Sequence, residues 1–157
     1  MFTLSDNPKV SIVTPSFNQA RFLEQTIQSV LAQDYLNIEY IIMDGGSQDG
    51  SAGIIQRYAG QLAYWQSQTD KGQTDAINQG FARATGEVLA WINSDDLLLP
   101  GAISAAVRQL KEHREAGMVY GDCLLINAEG QTICHFPAAQ TDIQRLRRGY
   151  VHIPQQA

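Results

Sequence analysis

Basic side chains are scarce in this chain. Eleven lysines and arginines face sixteen aspartates and glutamates, for a net charge of −5. That balance argues against a nucleic-acid partner and supplies no general basic surface, so any affinity for phosphate has to be local. Cysteine is scarcer still. Cys123 and Cys134 have no CxxC spacing and no clustered histidines, so a zinc site or redox motif has no support and two buried or half-buried thiols are expected. His113, His135 and His152 are scattered and read as surface or structural imidazoles. No apolar run reaches the roughly 18–20 residues a membrane span needs, and the start MFTLSDNPK lacks a signal peptide's charge-then-apolar order. A cytosolic chain is expected.

What is present is enough for one domain: 157 residues, 44% of them hydrophobic. KVSIVT (Lys9 to Thr14) reads as a central strand stopped by Pro15, and Asn18 then caps a helix running through Gln33. IEYIIM (Ile38 to Met43) is a second buried strand, followed by the turn-rich Asp44-Gly45-Gly46-Ser47-Gln48-Asp49-Gly50, where Asp49 reads as a cap, and by an amphipathic helix. Leu62 to Gln66 gives a third strand, Thr69 to Thr74 a loop, and Asp75 to Ala84 a helix. The apolar run Val88 to Ile92, within Gly86 to Ile92, is a fourth strand read as buried, with Trp65 and Trp91 assigned to the core. A helix from Pro100 to His113, a fifth strand at Met118 to Tyr120, a hairpin (Cys123 to Ile126 with Gln131 to Phe136) and a tail helix near Thr141 to Gly149 complete the reading. Alternating strands and helices imply an α/β, Rossmann-like, mainly parallel sheet with flanking helices, order 3-2-1-4, and a small antiparallel hairpin near the C-terminus.

Ligands of such sheets collect outside the carboxyl ends of the strands. There the fourth strand delivers Ser94, Asp95 and Asp96. Paired carboxylates are hard oxygen ligands suited to Mn²⁺ or Mg²⁺, with substrate phosphates completing the shell. An Asp-Asp pair taken alone also fits a turn or helix cap.

In context these residues resemble the inverting family 2 glycosyltransferases, which have a glycosyltransferase-A fold. The resemblance covers nearly the whole chain in four ordered blocks: VSIVTPSFNQ, IEYIIMDGGSQDGS, DKGQTDAINQGFARATGEVLAWINSDD and LLPGAI. It implies a nucleotide cradle at Thr14, Pro15, Ser16 and Phe17, with Asp44 in the loop that reads the base. It further implies that Lys71 and Gly72 approach the ribose or diphosphate, that Asp75 opens the neighbouring helix, and that Ser94 belongs to the donor site. Asp95 corresponds to the acid near the ribose and also counts as a candidate metal ligand; Asp96 corresponds to the one that ligates Mn²⁺ or Mg²⁺. Bare residue chemistry leaves alternatives open: Asp44 as a turn former, Asp75 as a helix cap, Lys71 as a solvated lysine.

Two departures stand out. Gly45 replaces an acid that in many relatives contacts the base, and Asn93 replaces a further Asp of the metal motif. The resemblance implies transfer from a nucleotide-diphosphate sugar, UDP-sugar favoured, to a carbohydrate or lipid-linked glycan, with the longer parent peripheral at the inner face of the membrane. Inversion needs a base on the acceptor hydroxyl. Asp122 and Asp142 do not match the family's base, so the base is expected beyond Ala157. Residues 1–157 are accordingly expected to form a single donor-binding domain lacking the acceptor part. A catalytically silent nucleotide-sugar binder competes with this reading. A sugar-1-phosphate nucleotidyltransferase would need a glycine-rich basic loop, and a receiver-like module paired acids, after the first strand; TPSFNQAR has neither.

Overall fold

A computed structural model of the chain describes residues 3–138 and Gln144. Two largely buried stretches, apolar at most positions, form its centre. β1 (Val10–Ser16) and β2 (Ile38–Asp44) pair in parallel from Val10↔Ile38 to Ser16↔Asp44. β3 (Tyr64–Ser67) adds beyond β2 and β4 (Val88–Trp91) beyond β1, giving the expected order β3-β2-β1-β4.

Strands covered on both faces need apolar residues at nearly every position, and here each face has its own cover. Val10, Ile12, Tyr40 and Ile42 pack against Leu23 and Ile27 of α1 (Ala20–Leu31), Ile55 of α2 (Ser51–Tyr58), and Ile103 and Val107 of α4 (Ala102–Glu112). Val13, Ile41 and Met43 pack on the other face against Ala76 of α3 (Gln73–Phe81). Each such buried side chain contributes about 1.5–3 kcal/mol. α3 lies so close to β1 that a Cβ on Gly80 would stand 2.4 Å from Cγ1 of Val13.

Several expectations are corrected. Pro15 does not stop β1, which continues to Ser16 and still pairs Pro15 with Met43. The ladder explains why. Bonds from Val88 N to Lys9 O and from Ile92 N to Val13 O turn the odd residues of β1 toward β4, so the N–H that proline lacks is one β4 would have used. Pairing with β4 ends at Val13↔Trp91, and the sheet opens between the two strands. Asn18 is not the cap of α1; it takes φ 53°, and Gln19 is the N-cap residue. β4 is not buried on both faces: Leu89 and Trp91 are 51% and 45% exposed, because β4 pairs only with β1 among the described residues and α3 does not reach over it. Trp65, in contrast, packs against the core as expected.

Met118 to Tyr120 forms no strand, and Met118 is exposed. The hairpin is present as β5 (Cys123–Ile126) and β6 (Thr132–Phe136), turning through Gly130 at φ +80°. Cys123 is half-buried, but Cys134 is exposed, since β6 lies open along its whole length. The expected tail helix (Thr141 to Gly149, Gln144 apart), Asp142 and His152 lie outside the described residues.

Candidate donor site at the open end of the sheet

A cleft of about 680 Å³ opens at the carboxyl ends of the strands, within the size range of small-ligand sites. Four loops line it. β1 contributes Pro15, Ser16 and Phe17, β2 Gly45, β3 Asp70 and Gly72, and β4 Asn93, Ser94 and Asp95. A smaller cleft of about 440 Å³ lies at the opposite end, between Asp6, Tyr35 and the Arg108 and Lys111 side chains of α4.

The loops after β1 and β2 are tied to each other. Asn18 N donates to Ser47 Oγ at 2.8 Å, Gln48 N to Asn18 Oδ1 at 3.0 Å, and Ala20 N to Asp49 Oδ2 at 2.8 Å. Asp49 also accepts from Ser51 N and Oγ, so one carboxylate ties together the first turns of α1 and α2, although the N-cap residues are Gln19 and Gly50 rather than Asp49. The tied loop leaves the Phe17 ring 63% exposed on the cleft wall. Beside it Ser16 is buried, and its Oγ has no hydrogen-bond partner among the described residues. A buried hydroxyl without a partner in the wall of a cleft calls for a polar ligand atom.

The loop after β4 is fastened from α1. Leu98 N donates to Ser29 Oγ, while Gln33 donates to Leu99 O and accepts from Ile103 N. This anchoring sets the two acids at different depths: Asp95 is exposed on the cleft, and Asp96 is buried beneath it. Burial pushes the Asp96 carboxyl up to about 6; the Asn93 amide, donating to Oδ2 at 2.9 Å, opposes that shift and the Asp95 charge adds to it. Its field also reaches the hairpin, where burial first and then Asp96 push up the Cys123 thiol. No group of three or more histidine, cysteine or acidic side chains that could hold a metal occurs among the described residues. Two adjacent carboxylates alone fit a hard divalent cation that takes its remaining oxygens from phosphate and water.

Of the other sequence-expected residues, Thr14, Asp44, Lys71 and Asp75 do not line the cleft. Thr14 is buried, its hydroxyl 3.0 Å from that of Tyr40. Asp44 is 1% exposed and accepts from Ser47 N, Ser47 Oγ and Ser67 Oγ, so its carboxylate holds the β2 and β3 loops together rather than facing a base. Asp75 accepts from Lys71 N at 3.1 Å and Gln79 Nε2 at 2.9 Å in the first turn of α3, and Lys71 is exposed. Asp122 is exposed and bound to Ala138 N and His135 Nε2. The cleft also takes in Gln19, Thr69, Asp70, Gln73 and Asn93, which sequence reasoning did not select. Asp70 and Gln73 had one available signal: the loop after the third strand opens at the same sheet edge as the other three.

The model of the family described as glycosyl transferase family 2 matches residues 11–141. An uncharacterized glycosyltransferase of Mycobacterium tuberculosis is 38% identical over 120 residues, 75% of this chain and 46% of that protein. The Campylobacter jejuni GalNAc(5)-diNAcBac-PP-undecaprenol beta-1,3-glucosyltransferase is 32% identical over 122 residues, 75% of this chain and 39% of that one. The chain thus spans less than half the length of either relative. Among solved structures, Staphylococcus aureus TarS superposes with a TM-score of 0.62 at 25% identity, over 68% of this chain and 20% of that one. A mannosyltransferase of Pyrobaculum calidifontis, solved with GDP-Man and Mn²⁺, gives 0.63 at 24% identity, over 78% and 37%. With the expected sheet order, the cleft at its open end and a family match across most of its length, the chain belongs to glycosyl transferase family 2.

Proposed function

We propose that this domain binds a nucleotide-diphosphate sugar, a UDP-sugar in the first instance, as the donor half of an inverting glycosyltransferase. The observation that carries the reading is the unpartnered Ser16 hydroxyl, buried in the cleft wall between an exposed aromatic ring and an exposed carboxylate. Phe17 offers a face for a base, Ser16 Oγ a hydrogen bond for ribose or phosphate, and the β4 loop, with Ser94, an acidic end for the diphosphate. Asp95 and Asp96 would hold Mn²⁺ or Mg²⁺, which when bound neutralises charge on the departing diphosphate. Gly72, on the cleft wall in front of α3, takes φ +103°, a backbone conformation that favours glycine.

The name of the C. jejuni relative supports a lipid-linked glycan as acceptor, and with it action at the inner face of a membrane. No helix among the described residues is long and apolar enough to cross a membrane. The base for the acceptor hydroxyl is assigned to the part of the relatives outside the matched stretch, since Asp122 is engaged by the hairpin. Thermal unfolding tests the donor reading. UDP-glucose or UDP-N-acetylglucosamine with Mn²⁺ should raise Tm, because a ligand at about 100 times its Kd adds about 2.7 kcal/mol, and Asp95→Asn should abolish the shift. An equal shift in that variant would remove Asp95 from the site.

A further inference from the structure

We infer that Asp70 reads the nucleobase, and that it selects a base of the uracil type through a single imide N–H. The inference rests on the donor-site reading above and goes on to name the base. β2 ends at Asp44, and the next residue, Gly45, has no side chain. The point its Cβ would occupy lies 3.1 Å from Asp70 Oδ2, 3.3 Å from Asp70 Oδ1 and 3.3 Å from Phe17 Cδ2. A carboxylate from the next loop therefore fills the space that Gly45 leaves, at the edge of the exposed ring. All three residues line the cleft.

The carboxylate is held by one oxygen only. Gly72 N donates to Oδ1 at 2.7 Å, while Oδ2 accepts no hydrogen bond among the described residues. The acid is thus oriented by the turn, with one oxygen left over. Its place in the sheet suits a base. In the order β3-β2-β1-β4, the Asp70 carboxylate lies beside Gly45 at the end of β2, and Asp95 follows β4 on the other side of β1. With Phe17 between them, the ring face takes the base and the Asp95 end takes the diphosphate.

A carboxylate only accepts. Adenine and cytosine place a ring-nitrogen acceptor beside their amino donor, which sets lone pairs against Oδ2. Guanine presents two adjacent donors and asks for both oxygens of an acid, so it would have to share Oδ1 with Gly72 N. Uracil presents one N–H between two carbonyls, a match for a single oxygen.

Titration calorimetry with UDP, CDP and GDP in the presence of Mn²⁺, on wild type and Asp70→Asn, tests this. The amide keeps an oxygen for Gly72 N and puts a donor in place of Oδ2. UDP should bind about tenfold or more weakly to the variant, and the ratio of CDP to UDP affinity should rise, since cytosine carries an acceptor at the corresponding ring nitrogen. A UDP affinity within about twofold of wild type, an unchanged ratio, or wild-type preference for GDP would overturn the assignment. A second measurement needs no variant: UDP methylated at the uracil N3 should bind wild type about tenfold or more weakly, and equal binding would also overturn it. If wild type binds no nucleotide at all, the donor-site reading itself falls.

Discussion

Asp96 sits almost out of water, and that burial, against the opposing hydrogen bond from the Asn93 amide, disfavours its charged form until a cation arrives. Replacing it with the uncharged isostere separates the two roles. Asp96→Asn should leave the metal-free Tm unchanged or higher, and should remove the rise in Tm that Mn²⁺ gives wild type; a persisting rise would take Asp96 out of the ligand set. Asp49 behaves in the opposite sense. Hydrogen bonds from the Ser51 hydroxyl, and from Ala20 N and Ser51 N, outweigh its burial and hold its carboxyl below the usual range. Its folded value lies below its unfolded one, so its contribution is present above the ordinary aspartate value and lost as pH falls through the lowered one. Urea midpoints measured from neutral pH into acid should therefore fall less steeply in Asp49→Asn than in wild type. Asp95 and Asp96 were legible because adjacent acids end an apolar run. Asp70 was not, since its nearness to Gly45 arises from sheet order, and nothing local shows that Ser67 comes from β3 to occupy Asp44.

Between elements, α3 lies close on β1. A methyl at Gly80 meets Val13 at 2.4 Å, inside a layer where neither partner can retreat. Gly80→Ala should cost about 1–3 kcal/mol despite the better helix propensity of alanine, read as a lower urea midpoint. An unchanged midpoint would mean that the helix shifts freely. Gln33 is the corresponding polar fastening, and Gln33→Ala should weaken metal-dependent nucleotide binding as well as stability, because it releases the loop that carries both acids. Strand identities were legible from apolar runs, but their limits depended on partners. Pro15 was read as a stop because a proline lacks a donor; on β1 the missing donor faces only the side where β4 has ended. Trp91 was read as core because the run was continuous, yet an edge strand has one face without cover among the described residues.

At the scale of the whole molecule, the parallel order 3-2-1-4 followed from alternation and right-handed crossovers, and it brings four loops to one edge. Sheet topology named three of those loops, and the family resemblance placed Lys71 and Gly72 on the remaining one. The fourth, after β3, supplies Asp70 and Gln73, and the cleft includes both. The hairpin was legible from its turn, whereas the Met118 to Tyr120 run pairs with no strand among the described residues and stays irregular. Titration calorimetry of UDP into the chain, with and without Mn²⁺, tests the central claim most directly. The account predicts saturable heat with Mn²⁺ and affinity at least about tenfold weaker without it; no heat with any nucleotide, at protein concentrations that detect millimolar binding, would contradict it.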